Sequence, residues 1–458
     1  MIKKLKPATL ATVALGVLVA VAVVVTGKGN VLQAAGDDRP NIVVIMTDDQ
    51  FMDTVWAMPY VDSRDDWARF SNAVVNTALC CPSRATFLTG QTSSHHGIES
   101  NSETSLFKDR STVADWLDAA GYQTGFVGKY LNKFPWSEPA NYIPPGWDYW
   151  AGYTGSMTYT DFTLNQNGEL VDYAGGGNNS TDVLSTQAVD LINQVKKREP
   201  FFAFVSYLGP HGPATPPPRY ADADVTPIPE TEAFLEEDVS DKPQWVQRST
   251  LPDVAKLRDR RLRHQRTLLA LDDGVQRIFE ALERRGELDN TIVIYTTDHG
   301  ISLGEHGYTK KTCGYEVCSS VPLLVRGPGV VPGGVRSLVG NIDLAPTLTD
   351  YAEIPTGEEV DGRSVRPILE GRERKIHRGV FLARAQGQRD KLFYGLRTKR
   401  WKYLSYRRTR ELELYNLKTD PLELHNLMST GRMRWEKKAE GLDLRMQRIM
   451  AKRQRIRG

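Results

Sequence analysis

Four short apolar runs, each followed within a few residues by an acid, a lysine or a histidine, constrain this chain more than any other feature. Residues 41–46 run into Asp48 and Asp49, and residues 123–127 into Gly128 and Lys129. Residues 200–206 lead to Gly209, Pro210 and His211, and residues 291–295 to Asp298, His299 and Gly300. Such short runs without polar alternation read as strands buried on both faces. Helical stretches lie between them, at 112–120, 181–196 and about 255–285. In the last, Leu268, Leu271, Val275, Ile278 and Leu282 recur at helix spacing. Strands alternating with helices predict an α/β fold, with a mixed, mostly parallel sheet covered by helices. Sheets of this kind bind ligands beyond the carboxyl ends of their strands, so the four charged strand ends form the candidate site.

The rest of the chain divides around that core. Lys3, Lys4 and Lys6 precede an apolar run over about 8–25, the pattern of an export signal. Residues 1–36 therefore read as a signal peptide or an N-terminal membrane anchor, and the protein as secreted or as extracytoplasmic and tethered. Residues 37–355 form the expected catalytic domain. Residues 134–178 and 209–250, rich in Pro, Gly, Tyr and Trp, read as long surface loops. Short strand-like runs at 380–382, 392–394, 401–404 and 413–415 predict that 356–458 is a small α+β unit, an antiparallel sheet closed by a helix. Its last stretch, 432–457, is basic. It is either a solvated amphipathic helix or a patch attracting a polyanion or anionic membrane. Globally, 58 Lys and Arg against 56 Asp and Glu give a net charge of +2, which argues against a nucleic-acid partner. With 40% hydrophobic and 25% charged residues, wholesale disorder and a polytopic membrane protein are excluded.

The four cysteines are too few for a disulfide scaffold. Cys313 and Cys318 are near enough to bridge in an oxidising compartment, while adjacent Cys80 and Cys81 need another explanation. They open the segment Ala78-Leu79-Cys80-Cys81-Pro82-Ser83-Arg84-Ala85-Thr86-Phe87-Leu88-Thr89-Gly90. Pro82 suits a first helical turn, which puts Cys80 at a helix N-terminus beside Arg84. Both features favour negative charge on that side chain or on a bound anion. A buried thiol pair starting a core helix explains the same residues equally well. Asp48 and Asp49, successive carboxylates at a strand end, either converge on a hard cation such as Ca²⁺ or Mg²⁺, or form a cap or surface acidic pair.

Residues 78–90 resemble the sulfatase signature, C-x-P-S-R followed by T-G, of the alkaline phosphatase superfamily. Further words similar to that family follow in order: 39–50, Gly128-Lys129-Tyr130-Leu131-Asn132, 142–147, Pro210-His211-Gly212-Pro213, Asp298-His299-Gly300, 341–347 and 413–427. They look most like the N-acetylglucosamine-6-sulfatase and heparan 6-O-sulfatase branch. The resemblance implies an alkaline-phosphatase-like core and hydrolysis of sulfate esters, on 6-O-sulfated N-acetylglucosamine or glucosamine units of a sulfated glycan. It implies that Cys80 is oxidised to formylglycine by a formylglycine-generating enzyme, and that the hydrated aldehyde attacks sulfur. It implies one divalent cation, Ca²⁺ or Mg²⁺, held by Asp48, Asp49, the modified Cys80, Asp298 and His299. Arg84 would orient the nucleophile, and Lys129, His211 and Lys311 would face the sulfate. Lys311 matches by spacing better than its neighbour Lys310, and Asp343 reads as structural.

Where many sulfatases carry a histidine after the G-K word, this chain has Leu131 and Asn132. That leaves the base for sulfate release unassigned. His96 is a substrate-pocket or a packing residue. Trp136, Trp147, Tyr149, Trp150 and Tyr153 are faces for sugar stacking or core. Three other readings share the same residues: an arylsulfatase of broad specificity, a phosphonate monoester or phosphodiester hydrolase, and a non-catalytic binder of sulfated glycan.

Overall fold

A central strand, β1 (Asn41–Thr47), is flanked by parallel partners on both sides, and every residue of it is buried. The computed structural model describes residues 37–52, 54–136 and 138–454; the expected export segment, 1–36, lies outside them. The other strands of the main sheet are β2 (Ala68–Phe70), β3 (Gln123–Gly128), β4 (Tyr149–Thr154), β5 (Thr163–Gln166), β6 (Glu169–Asp172), β7 (Phe201–Ser206), β8 (Thr291–Thr297), β9 (Leu323–Arg326) and β10 (Gly333–Val335). They form a ten-stranded sheet in the order β10-β2-β9-β8-β1-β7-β3-β4-β5-β6. The centre, β8-β1-β7-β3-β4, is parallel, whereas β9 runs against β8 and β5 and β6 close the far edge antiparallel.

The longer helices are α1 (Cys80–Thr89), α2 (Val113–Ala119), α3 (Ser180–Gln194), α4 (Val254–Arg285), α5 (Leu344–Tyr351) and α6 (Met433–Gln454). One apolar layer joins α3 and α4 to one face of the sheet, through Leu184, Leu191, Leu271, Val275 and Ile278 against Val43, Ile45 and Val205. The other face packs on α1, α2 and α5 through Phe87, Leu117 and Leu348. Gly125 makes the first layer tight, because a Cβ there would lie 2.3 Å from Leu191 Cδ1.

The segment 134–178, expected as a surface loop, contributes β4, β5 and β6 to the sheet. Its aromatic residues face inward: Trp150 stacks on Phe126 at 4.5 Å and Trp147 on Phe202 at 5.6 Å between ring centroids. Trp147, Trp150 and Tyr153 are buried, so they pack the core and offer no face for a sugar. The Gly and Pro punctuation of this segment marks turns between real strands, which the composition had blurred into one loop. Residues 209–250 do run largely as loop, with only short helical turns.

The C-terminal region forms a second sheet, β11 (Val380–Arg384), β12 (Phe393–Arg397), β13 (Trp401–Tyr406) and β14 (Leu412–Asn416), all antiparallel and in sequence order. The basic helix α6 closes it through Ala439, Leu442 and Met446 against Leu396, Tyr403 and Leu414. Arg434, Glu436, Lys437, Glu440 and Arg448 lie on its exposed side, away from that apolar stripe. No helix among the described residues is long and apolar enough to cross a membrane.

Candidate active site

Strand register gathers the site. Thr47 pairs with Thr297, so Asp48 and Asp298 leave adjacent strand ends side by side. Gly128 pairs with Ser206, which brings Lys129 to the same edge from the other side of β1. Gly128 is required there: its φ is +106°, and a Cβ would stand 2.0 Å from the Ser206 carbonyl oxygen. Asp49 carries the left-handed φ of +60°. Such a conformation costs a non-glycine residue about 1–2 kcal/mol and is typically retained where function needs it. It turns two consecutive carboxylates to different partners.

Helix α1 delivers Cys80 at its N-terminus, with Leu79 as cap, and all ten of its residues are buried. Two neighbours in the same turn fix its position. The Ser83 hydroxyl donates to the Asp298 carbonyl, and Asn341 Nδ2 donates to Ser83 Oγ at 2.8 Å. Arg84 Nε donates to Asp298 Oδ2 at 2.8 Å, and its Nη2 to Asp48 Oδ2 at 3.1 Å. Its Nη1 satisfies the Lys129 carbonyl at 2.7 Å and Ser206 Oγ at 2.6 Å. One buried guanidinium thus ties the helix to four strand ends. Ser83 and Arg84 of the proline-serine-arginine sequence supply this anchoring.

Around Cys80 Sγ lie Lys311 Nζ at 3.0 Å, His299 Nε2 at 3.4 Å and Asp48 Oδ1 at 3.9 Å. Cys80 carries a free, buried thiol. Lys311 Nζ also donates to Asp49 Oδ1 at 2.9 Å, and Lys129 Nζ donates to Asp48. Lys310, by contrast, is exposed. His211 Nε2 lies 3.6 Å from Asp49 Oδ2, with a third of its side chain open to solvent.

Charge is tightly balanced. Burial raises the Asp48 carboxyl, yet Lys129, His211, Arg84 and Lys311 outweigh it and hold Asp48 well below the usual range. Burial raises Asp49 too, and Lys311 and His299 bring it down. Burial would likewise raise the Cys80 thiol, but Lys129 and Lys311 leave it below an ordinary thiol. Burial pushes His299 down, while Asp298 and Asp49 more than offset it and raise His299 to about 9. His211 is lowered, mainly by burial.

The donor set can hold a metal ion. Ligand atoms of Asp48, Cys80, Asp298 and His299 lie within 4.8 Å of one another, as do those of Asp48, Asp49 and His211. Bonds of about 2.0–2.6 Å from one ion span such a cluster, and carboxylate oxygens suit Ca²⁺ or Mg²⁺. His299 Nδ1 contacts the Gly300 carbonyl at 2.9 Å, which leaves Nε2 directed at the cluster. His211 is the one member of these clusters that the sequence placed elsewhere, with the sulfate contacts.

Other sequence candidates fall away from the chemistry. His96 Nε2 pairs with Thr86 Oγ1 at 3.1 Å and its Nδ1 accepts from the Ile98 amide, so it packs and caps; burial lowers it to about 3. Asp343 accepts from the Gly340 and Arg363 amides and pairs with His377, a structural role. The Asn132 amide donates to Cys81 Sγ at 3.2 Å, which ties the G-K-Y-L-N word to the second cysteine. Cys313 and Cys318 form a disulfide two residues beyond Lys311. Arg260 of α4, which the sequence did not single out, lies beside the site. Its only local signal is its place on a long amphipathic helix.

Comparison with known proteins agrees with this geometry. A model of the sulfatase family matches residues 40–354, and a model of the C-terminal region of N-sulphoglucosamine sulphohydrolase matches 304–452. Human N-acetylglucosamine-6-sulfatase is 33% identical over 78% of this chain and 69% of its own length. An extracellular sulfatase SULF-1 homolog of Drosophila melanogaster is 35% identical over 78% of this chain, which spans only 34% of that longer relative. A solved structure of a protein in complex with its substrate D-glucosamine-2-N,6-O-disulfate superposes with a TM-score of 0.76. It shares 26% identity over 90% of this chain and 97% of its own.

Proposed function

The chain belongs to the sulfatase family, and on that premise we propose that it is a sulfuric ester hydrolase acting on 6-O-sulfated N-acetylglucosamine or glucosamine units of a sulfated glycan. The observation that carries this reading is the charge gathered around one buried sulfur, with Lys311 at 3.0 Å and His299 at 3.4 Å from Cys80 Sγ. In this reading Cys80 is matured to formylglycine, whose hydrate supplies a nucleophile that can later release sulfate without a separate attack by water. A calcium or magnesium ion held by Asp48, Asp49, Asp298 and His299 would supply Lewis-acid polarisation. Export through residues 1–36 brings the enzyme to its glycan.

The remaining work falls to the chain's own side chains. Arg84, locked by Asp298 and Asp48, holds the nucleophile's helix in register with the strand ends. Lys129 and Lys311 are fixed cations in a nearly dry site. Charge that builds on the ester oxygens as the S–O bond breaks meets them without solvent reorganisation, so they favour the transition state over the ground state. Lys311 Nζ sits 2.9 Å from Asp49 Oδ1, whose carboxylate favours its charged form against burial. That makes it a poor proton donor. His211, at the open side of the site, donates the proton to the leaving alcohol.

The test has two parts. Mass spectrometry of the peptide spanning Leu79 to Arg84, from protein made in its own host, is expected to show sulfur and two hydrogens replaced by oxygen at Cys80. Turnover is then compared on 6-O-sulfated N-acetylglucosamine, an aryl sulfate and an aryl phosphodiester. A persistent thiol in active protein, or a faster reaction on the phosphodiester than on either sulfate, overturns the proposal.

A further inference from the structure

We infer that the mouth of the Cys80 site carries an anion-binding subsite, formed by Arg260, Arg384 and Lys391 around the 309–312 loop, that takes a second oxyanion of the substrate. The inference rests on the sulfate-ester reading above and narrows it to polyanionic glycans. The second oxyanion is a sulfamate or sulfate on the same sugar, or the carboxylate of a neighbouring uronate.

The loop is the key. Lys311 reaches into the site, and its own backbone is held from both ends by arginines of different elements. Arg260 of α4 donates from Nη1 to the Thr309 carbonyl at 3.0 Å. Arg384, the last residue of β11, donates from Nη1 to the Thr312 carbonyl at 3.0 Å. Arg260 also borders the His211 loop, since a Cβ on Gly212 would lie 3.8 Å from Arg260 Nη2. Lys391 lies 5.2 Å from the Trp245 ring and 5.5 Å from that of Tyr308, whose hydroxyl donates to the Lys311 carbonyl at 2.9 Å. Exposed Lys310 adds a fourth positive charge to this rim.

These cations lack what comparable ones have. Arg261 pairs with Glu305, Arg366 with Asp350 and Glu370, and Arg397 with Glu316. Among the described residues, Arg260, Arg384 and Lys391 form no ion pair within 4 Å; Asp49 and Asp390 act on them only at longer range. Burial depresses all three below their ordinary values. Partly desolvated guanidinium groups held without a counter-ion make a preorganised receptor for a planar or tetrahedral oxyanion. Their setting around the loop of Lys311, whose Nζ contacts Cys80 Sγ, puts that receptor at the mouth of the site.

The subsite is tested by selectivity. The mature enzyme is assayed on 6-O-sulfated N-acetylglucosamine, on its N-sulfated counterpart, and on a disaccharide joining a uronate to 6-O-sulfated N-acetylglucosamine. The wild type is expected to favour at least one dianionic substrate through KM. Arg260→Met and Arg384→Met are each expected to cut that kcat/KM ratio by about tenfold, the worth of one good ion pair. The substrate whose preference collapses identifies the source of the second anion. A ratio unchanged in both variants, or no preference in the wild type, overturns the inference. If the mature protein turns over none of these sugars, the 6-O-sulfatase reading fails separately. The subsite is then decided by calorimetric titration of an N-,6-O-disulfated disaccharide into Cys80→Ser protein with and without Arg384→Met. An affinity lowered about tenfold sustains it and an equal affinity refutes it.

Discussion

Arg84 Nε donates to Asp298 Oδ2 at 2.8 Å, joining helix α1, which carries Cys80, to the end of strand β8. Both side chains are essentially inaccessible to solvent. Removing one partner of a buried pair leaves an uncompensated charge, at a cost of about 3–5 kcal/mol. Arg84→Met is therefore expected to lower unfolding stability by that amount in urea denaturation, besides abolishing activity. Cys80→Ser is expected to lose activity while unfolding near the wild-type midpoint. Equal stability of Arg84→Met and Cys80→Ser proteins would refute the anchoring role.

Two adjacent lysines make opposite predictions. Lys311 Nζ touches Cys80 and Asp49, whereas Lys310 projects outward. Lys311→Ala should reduce kcat on an aryl sulfate by about 10²–10³, the usual loss on removing one transition-state donor. Lys310→Ala should change that kcat by less than about twofold, because a solvated charge at the rim contributes little. Steady-state kinetics on one small substrate separates them, and a reversed order assigns the role to Lys310.

The carboxylate cluster predicts metal dependence. A chelator should abolish activity, and added Ca²⁺ or Mg²⁺ should restore it. Because the ion binds only the folded chain, the protein should also gain about 2.7 kcal/mol of stability at a hundredfold excess over Kd. Asp49→Asn removes one ligand charge and should weaken the thermal shift produced by metal. A thermal transition indifferent to chelator and metal alike argues against the site.

Stability should also carry a pH signature from outside the active site. Asp272 on α4 accepts from the Tyr60 and Val61 amides at 2.7 and 3.0 Å, yet burial outweighs these bonds and raises it to about 6. An unfolded aspartate titrates near about 3.9, so between those values the folded state binds more protons. Stability then falls as pH rises through that window, by about 1–2 kcal/mol after allowance for partial solvent access. Asp272→Asn keeps an acceptor oxygen and should flatten this part of the curve. Denaturation midpoints measured across the acidic range decide it.

The Cys313–Cys318 disulfide closes a short loop next to Lys311. Closing so short a loop is worth about 2 kcal/mol in the chain-entropy picture. A Cys313→Ser, Cys318→Ser double variant should lose that much stability. It should also lose more in kcat than in KM, since Lys311 would be held less firmly. A stable, fully active double variant would reduce the bridge to ornament.

The sequence by itself determined the four central strands of the main sheet, the helix spacing and the chemistry at those four strand ends. Those signals are local: a buried strand must be apolar along its length, and a charged residue immediately beyond it must lie at the sheet edge. Asp48, Lys129, His211 and Asp298 were legible for that reason. Tertiary structure decided what no local signal encodes. It decided that 134–178 extends the sheet, since three short Gly- and Pro-punctuated strands are recognisable only once paired. It turned Lys311 toward Cys80 and Lys310 to solvent, the order that family spacing had favoured, because backbone direction in a loop selects which side chain turns inward. It brought Arg260 and Arg384, from elements more than a hundred residues apart, to the two ends of one four-residue loop. Contacts between distant segments are set by packing, and a single sequence records only the apolar faces that make the packing favourable.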